Sequence, residues 1–170
     1  MSYTSDPILF LDVDGVLNRC GASGHGLEPD KCDLLADVCR RTGCKIVVSS
    51  TWRTSDRLLN GRLLPMFVSR GIECIGVTPA IEIATSPGGL IVASPPRREE
   101  IKAWLVEHPG VRNYAILDDD CDADDGTGRF VRTESNEGIQ IWHVDLIERA
   151  FIMVGTDTAS TKDSNHEHRR

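Results

Sequence analysis

Residues 8–18 read Ile-Leu-Phe-Leu-Asp-Val-Asp-Gly-Val-Leu-Asn. Ile8 to Leu11 form an unbroken apolar run with no alternation, the mark of a parallel strand covered on both faces and lying in the middle of a sheet. At its carboxyl end, where open α/β sheets bind ligands, stand Asp12 and Asp14, followed by Gly15, which lets the backbone turn sharply. Two carboxylates one residue apart repel each other unless positive charge lies close by, and a divalent cation is the natural source.

The rest of the chain supplies partners for that strand. Arg19 to Leu27 holds Gly21, Gly24 and Gly26 with Ser23 and His25, turn chemistry throughout, and reads as a loop leaving the same sheet edge. Pro29, the stripe Leu34, Leu35 and Val38, and Gly43 bound a helix over 29–42. Lys45 to Val48 is a second strand, ending in Ser49-Ser50-Thr51-Trp52-Arg53. Residues 54–70 carry a helical stripe that Pro65 kinks or splits, and Glu73 to Val77 is a third, short strand. The stretch to Pro96 is rich in Gly, Pro and Ser and reads as an irregular excursion, with Ile81 to Ala84 and Leu90 to Ala93 as a small hairpin. Arg97-Arg98-Glu99-Glu100 opens a helix with Ile101, Trp104 and Leu105 at core spacing. Tyr114 to Leu117 is a fourth strand running into Asp118-Asp119-Asp120-Cys121-Asp122, and Phe130 to Arg132 a fifth. Ile139, Trp142, Val144, Leu146, Ile147 and Ala150 mark the last helix, in which His143 reads as a packed or surface residue. The expected architecture is a Rossmann-like three-layer α/β/α domain over 1–154, with a central, mostly parallel sheet of about five strands and no large cap domain. Residues 155–170 read as a disordered polar tail.

Four of these stretches, in order, resemble the motifs of the haloacid dehalogenase (HAD) superfamily of phosphohydrolases. Asp-Val-Asp-Gly-Val follows the first strand; Ser49 or Ser50 follows the second; Arg97, with Arg98 close behind, starts a helix; and Asp118-Asp119 ends the fourth strand. Ser-Ser-Thr-Trp-Arg, Thr-Pro and Arg-x-x-Glu-Ile-x-x-Trp-Leu narrow the likeness to the small, capless HAD domain of the "Swiss army knife" RNA repair proteins, over roughly residues 8–150. The resemblance implies a phosphatase in which Asp12 is the nucleophile and forms an aspartyl phosphate, with Asp14 as general acid and base. It implies Mg²⁺ held by Asp12, by Asp14 through its backbone carbonyl, and by one or both of Asp118 and Asp119. Ser49, favoured as the first residue after its strand, or Ser50, together with Arg97 or Arg98, would bind phosphoryl oxygens. The implied substrate is a phosphomonoester, with polynucleotide ends as the class the repair family points to. A small-molecule phosphatase or nucleotidase is the alternative, and a non-catalytic domain that binds a phosphorylated ligand a further one.

Composition narrows the field. A formal net charge of -7 leaves no global basic field to draw in nucleic acid or an anionic membrane, so an anionic substrate must be held locally. Arg53, Arg57, Arg62, Arg97 and Arg98 are the candidates for a positive rim. The six cysteines include no Cys-x-x-Cys pair and read as reduced thiols. With no leader pattern at the N-terminus and no segment of membrane-spanning length, a cytoplasmic location is expected. Asp120, Asp122 and Asp124 imitate the start of a calcium loop, but Asp125 stands where that loop needs Gly and Val131 where it needs a bidentate Glu. A phosphotransfer receiver would place its acceptor Asp after an earlier acidic pair, the reverse of the order here.

Overall fold

The computed structural model describes residues 6–20, 26–81 and 95–152. Five strands, β1 (Ile8–Leu11), β2 (Lys45–Val48), β3 (Cys74–Val77), β4 (Tyr114–Asp118) and β5 (Phe130–Arg132), form one sheet in the order β3-β2-β1-β4-β5. All neighbouring strands run parallel. The apolar run that opens the sequence is therefore the central strand, and its four residues are all buried.

Alternation along the strands splits the interior into two cores. Leu9 and Leu11 of β1, Ile46 and Val48 of β2 and Leu117 of β4 pack with Leu35 and Val38 of α1 (Pro29–Thr42) and Val144 and Ile147 of α5 (Ile141–Ile152). Ile8, Phe10, Val47 and Ile116 face the other way, onto Ile101 and Trp104 of α4 (Arg97–Glu107). Phe10 meets Trp104 edge to face at 5.4 Å and Tyr114 at 5.8 Å, so one aromatic cluster pins α4 across the central strands. Each large apolar side chain sealed in this way contributes about 1.5–3 kcal/mol.

The register sets up the sheet edge. Leu11 pairs with both Val48 and Leu117. The next residues, Asp12, Ser49 and Asp118, are thus level with one another and continue the rows of Phe10, Val47 and Ile116, whose side chains face α4. The Asp12 N–H bonds the Leu117 carbonyl at 3.0 Å and the Ser49 N–H the Leu11 carbonyl at 2.9 Å, extending the ladder to that row.

The helix expected over 54–70 is divided. A 3₁₀ turn over Thr51–Thr54 precedes α2 (Asp56–Leu58), a wide π turn over Leu59–Leu63, and α3 (Leu64–Ser69). Pro65 has no N–H to give, and the widened turn, in which the Leu64 N–H bonds the Leu59 carbonyl, falls just before it. α5 starts at Ile141, two residues beyond the first apolar marker Ile139, because Glu134 and Gly138 bridge first and the Ile139 N–H is bonded to the Val16 carbonyl. Cys32 and Cys44 are buried thiols, whereas Cys20 and Cys121 are exposed. Among the described residues no helix is long and apolar enough to cross a membrane. The Gly21–His25 part of the loop, nearly all of the expected hairpin and the expected tail lie outside the described residues.

Candidate active site

Among the described residues, Asp12, Asp118 and Asp119 form a group whose carboxylate oxygens lie within 4.8 Å of one another. β1 and β4 supply them from opposite parts of the chain. Asp12 and Asp118 are buried. Asp119 closes over Gly15, whose φ of 77° is a left-handed conformation, and a Cβ at that position would overlap the Asp119 carboxylate. Gly15 is therefore needed both for the turn and for the approach of the acidic pair.

Burial dominates the electrostatics. Loss of hydration pushes the Asp12 carboxyl up to about 6, against the attraction of Arg97 and hydrogen bonds from the Ser50 hydroxyl and the Val13 backbone. Burial together with the Asp12 charge pushes Asp118 up to about 8. Asp118 Oδ1 accepts the Asp120 N–H at 2.9 Å, but its buried Oδ2 has no hydrogen-bond partner. Clustered hard oxygens, two carboxyls that lose their protons reluctantly and an Asp118 oxygen without a hydrogen-bond partner make a donor set suited to a divalent cation such as Mg²⁺.

Asp14 is held apart from this cluster. Its Oδ1 accepts from Asn18 Nδ2 at 2.7 Å and its Oδ2 from Trp52 Nε1 at 2.9 Å, while Asn18 Oδ1 accepts the Gly15 N–H at 3.1 Å. Thr133 ties the two acidic segments together: its hydroxyl donates to the Gly15 carbonyl at 2.8 Å and its N–H to the Asp118 carbonyl at 3.0 Å.

Arg97, at the first position of α4, faces the cluster. Its Nη2 stands 3.8 Å from Asp12 Oδ1 and its Nε 3.8 Å from Asp118 Oδ2, ion-pair distances beyond hydrogen-bond reach. Its Nη1 donates to the Ser49 carbonyl, and its backbone N–H to Asp122 Oδ2 at 3.2 Å. Arg98 is exposed instead and donates to the Asp122 carbonyl at 3.3 Å. Both serines are buried: the Ser50 hydroxyl accepts the Trp52 N–H at 3.3 Å, whereas the Ser49 hydroxyl has no partner. Asp120, Asp122 and Asp124 accept backbone N–H groups of Asp122, Arg97 and Gly126, so the would-be calcium loop is spent on turns and on the start of α4.

Sequence reasoning passed over Asn18, Trp52, Glu100 and Thr133 as contributors to this site. Arg53, one of the candidates for a positive rim, instead has a buried side chain paired with Glu100 at 2.6 Å. The signal was present for Trp52 and Glu100 as part of Ser-Ser-Thr-Trp-Arg and Arg-x-x-Glu, but nothing local says that an indole or a carboxylate at those positions turns inward.

An all-parallel α/β/α domain with no large cap, gathering acidic residues at the carboxyl edge of its central strands against an arginine at a helix start, is HAD-like in class. The family model for the HAD domain in Swiss Army Knife RNA repair proteins matches residues 8–144, and the chain belongs to that family. Comparison with curated proteins and with solved structures gave no significant match.

Proposed function

We propose that the chain is a Mg²⁺-dependent phosphomonoesterase that works through an aspartyl phosphate on Asp12 and acts on polynucleotide ends. The observation that carries this reading is the convergence of Asp12, Asp118 and Asp119 with Arg97 standing 3.8 Å from both buried carboxylates. The family's occurrence in RNA repair proteins supports the substrate class. So does the length of the connection between β1 and α1: residues 12–28 are too few for a separate domain that would close over a small metabolite.

Phosphate esters resist hydrolysis because their anionic oxygens repel nucleophiles, so catalysis rests on positioning and charge neutralisation. Asp12 attacks phosphorus in line while the bond to the leaving alkoxide breaks, and Asp14 protonates that oxygen. Asp14, now a carboxylate, takes a proton from water, which attacks phosphorus and frees Asp12 with release of inorganic phosphate. Asn18 and Trp52 hold both Asp14 oxygens, fixing the carboxyl beside the cluster and off the metal ligands. Ser49 or Ser50 and Arg97 receive the phosphoryl oxygens, Arg97 through its forked guanidinium; exposed Arg98 is left for more distant parts of a substrate. Asp12, Asp118 and Asp119, with the Asp14 carbonyl, would hold Mg²⁺, whose chemistry is to neutralise the phosphoryl charge and let Asp12 ionise.

The test is a panel of 3′-phosphorylated and 5′-phosphorylated oligonucleotides beside mononucleotides and sugar phosphates, with Mg²⁺ and with a chelator. Metal-dependent phosphate release fastest from oligonucleotides is expected. Faster release from a small metabolite overturns the substrate assignment, and phosphate binding without turnover of any ester overturns the enzymatic one.

A further inference from the structure

Beneath the proposed phosphate site lies an ion pair that no step above uses. The Arg53 side chain is 5% exposed and that of Glu100 9%, and their Nη2–Oε2 distance is 2.6 Å. Two charges are rarely removed from water so completely without strong compensation. Here the compensation runs to the site. Arg53 Nη1 donates to the carbonyls of Ser49 at 2.6 Å and Ser50 at 2.8 Å, clamping the turn that follows β2. Glu100 Oε2 also lies 3.6 Å from Arg97 Nη1, and Glu100 Oε1 accepts the Ile81 N–H at 3.3 Å. The Ser49 carbonyl thus accepts from both arginines, with Glu100 between them.

Arg97 faces two buried carboxylates, and a guanidinium free to move would close onto Asp12 in a bidentate pair, blocking the nucleophile and consuming the donors meant for phosphate. It does not, because Nη1 is held from behind by Glu100 and the Ser49 carbonyl. We propose that the buried Arg53–Glu100 pair is a positioning device that holds Arg97 off Asp12 and Asp118, so that its Nη2 and Nε meet the phosphoryl oxygens of the substrate. Arg53 neutralises Glu100, without which Glu100 would draw Arg97 back; Glu100 restrains Arg97, without which Arg97 would fall forward onto Asp12. This role rests on the phosphatase reading.

The experiment measures binding of inorganic phosphate in saturating Mg²⁺, by calorimetry and as competitive inhibition, for the full chain and for Arg53→Met, Glu100→Gln, the double variant and Arg53→Lys, with a thermal melt of each. Misplacing a clamping group by about 1 Å costs up to roughly 10²-fold. Each single loss should therefore weaken phosphate binding by about 10- to 100-fold. The double variant should be no weaker than the worse single one, because the two act through the same guanidinium. Arg53→Lys, which keeps the charge opposite Glu100, should recover part of the affinity. A pair that serves only to stabilise the fold would lower the melting temperature and leave phosphate affinity unchanged in every variant that folds, overturning the inference. Should Arg53→Met or Glu100→Gln fail to fold, Glu100→Asp, which keeps the charge but draws the carboxylate back from Arg97, takes their place, and wild-type phosphate affinity with a lowered melting temperature there overturns it as well. Failure of the wild-type chain to bind phosphate in Mg²⁺ would instead overturn the phosphatase reading itself, so the two failures are distinct.

Discussion

Asp118 holds a poorly compensated carboxyl. One of its oxygens is sealed from solvent without a hydrogen bond, and the nearest cationic nitrogen, on Arg97, is 3.8 Å away. Asp12 and Asp118 both hold their protons more tightly in the folded chain than in the unfolded one, up to about 6 and about 8 against 3.8. The protonated pair therefore favours folding most fully below pH 3.8, and that contribution fades as pH rises towards 8. A bound divalent cation reverses the balance by favouring the carboxylates, so its stabilisation must grow over the same range. Melting temperatures with and without Mg²⁺ should differ little near pH 5 and clearly near pH 8; a gain independent of pH would remove these two carboxyls from the metal site. Gly15 makes a second residue-scale case. Gly15→Ala meets both a left-handed φ and the Asp119 carboxylate, so a loss of about 1–3 kcal/mol is expected in denaturant unfolding, together with a reduced response to Mg²⁺. An unchanged response would mean that the position of Asp119 does not matter to metal binding.

At the scale of elements, the start of α5 is held by the buried ring of His143. Its Nδ1 accepts the Gln140 N–H at 2.9 Å, which leaves that nitrogen without a proton and so requires the neutral ring. Burial holds its pKa below 6.5, so the unfolded chain gains the extra proton and stability is lost as pH falls through 6.5. Thermal unfolding between pH 7.5 and 5.5 should show this slope in the wild type and a shallower one in His143→Gln; equal slopes would assign the effect elsewhere. All five strands and four of the helices were legible as apolar runs and stripes, because burial on both faces or on one stripe imprints itself on consecutive residues. The break in the 54–70 helix was legible only as a disturbance near Pro65, since a π turn spreads the accommodation of a missing N–H over several residues. At the site, Asp12, Asp118 and Arg97 could be read because each stands at a strand or helix end. Arg53 could not: whether an arginine faces water or a buried glutamate depends on Glu100, far along the chain and visible only after α4 packs on the sheet. The choice between Ser49 and Ser50 turned on the rotation of the chain after β2, which no local pattern encodes.

For the whole molecule, the sheet order matters more than any single contact. Placing the first strand between the second and the fourth brings Asp12, Ser49 and Asp118 into one row facing the start of α4, so residues from four separate stretches meet at a single point on an acidic body. That convergence is what the proposed chemistry needs, and Asp12 is the member that no other can replace. Turnover of a generic phosphomonoester in Mg²⁺ by the wild-type chain and by Asp12→Asn, with the melting temperature of both, tests it most directly. The account predicts metal-dependent hydrolysis by the wild type and a fall of at least about a thousandfold in kcat for a folded Asp12→Asn. Hydrolysis by Asp12→Asn near the wild-type rate would contradict it.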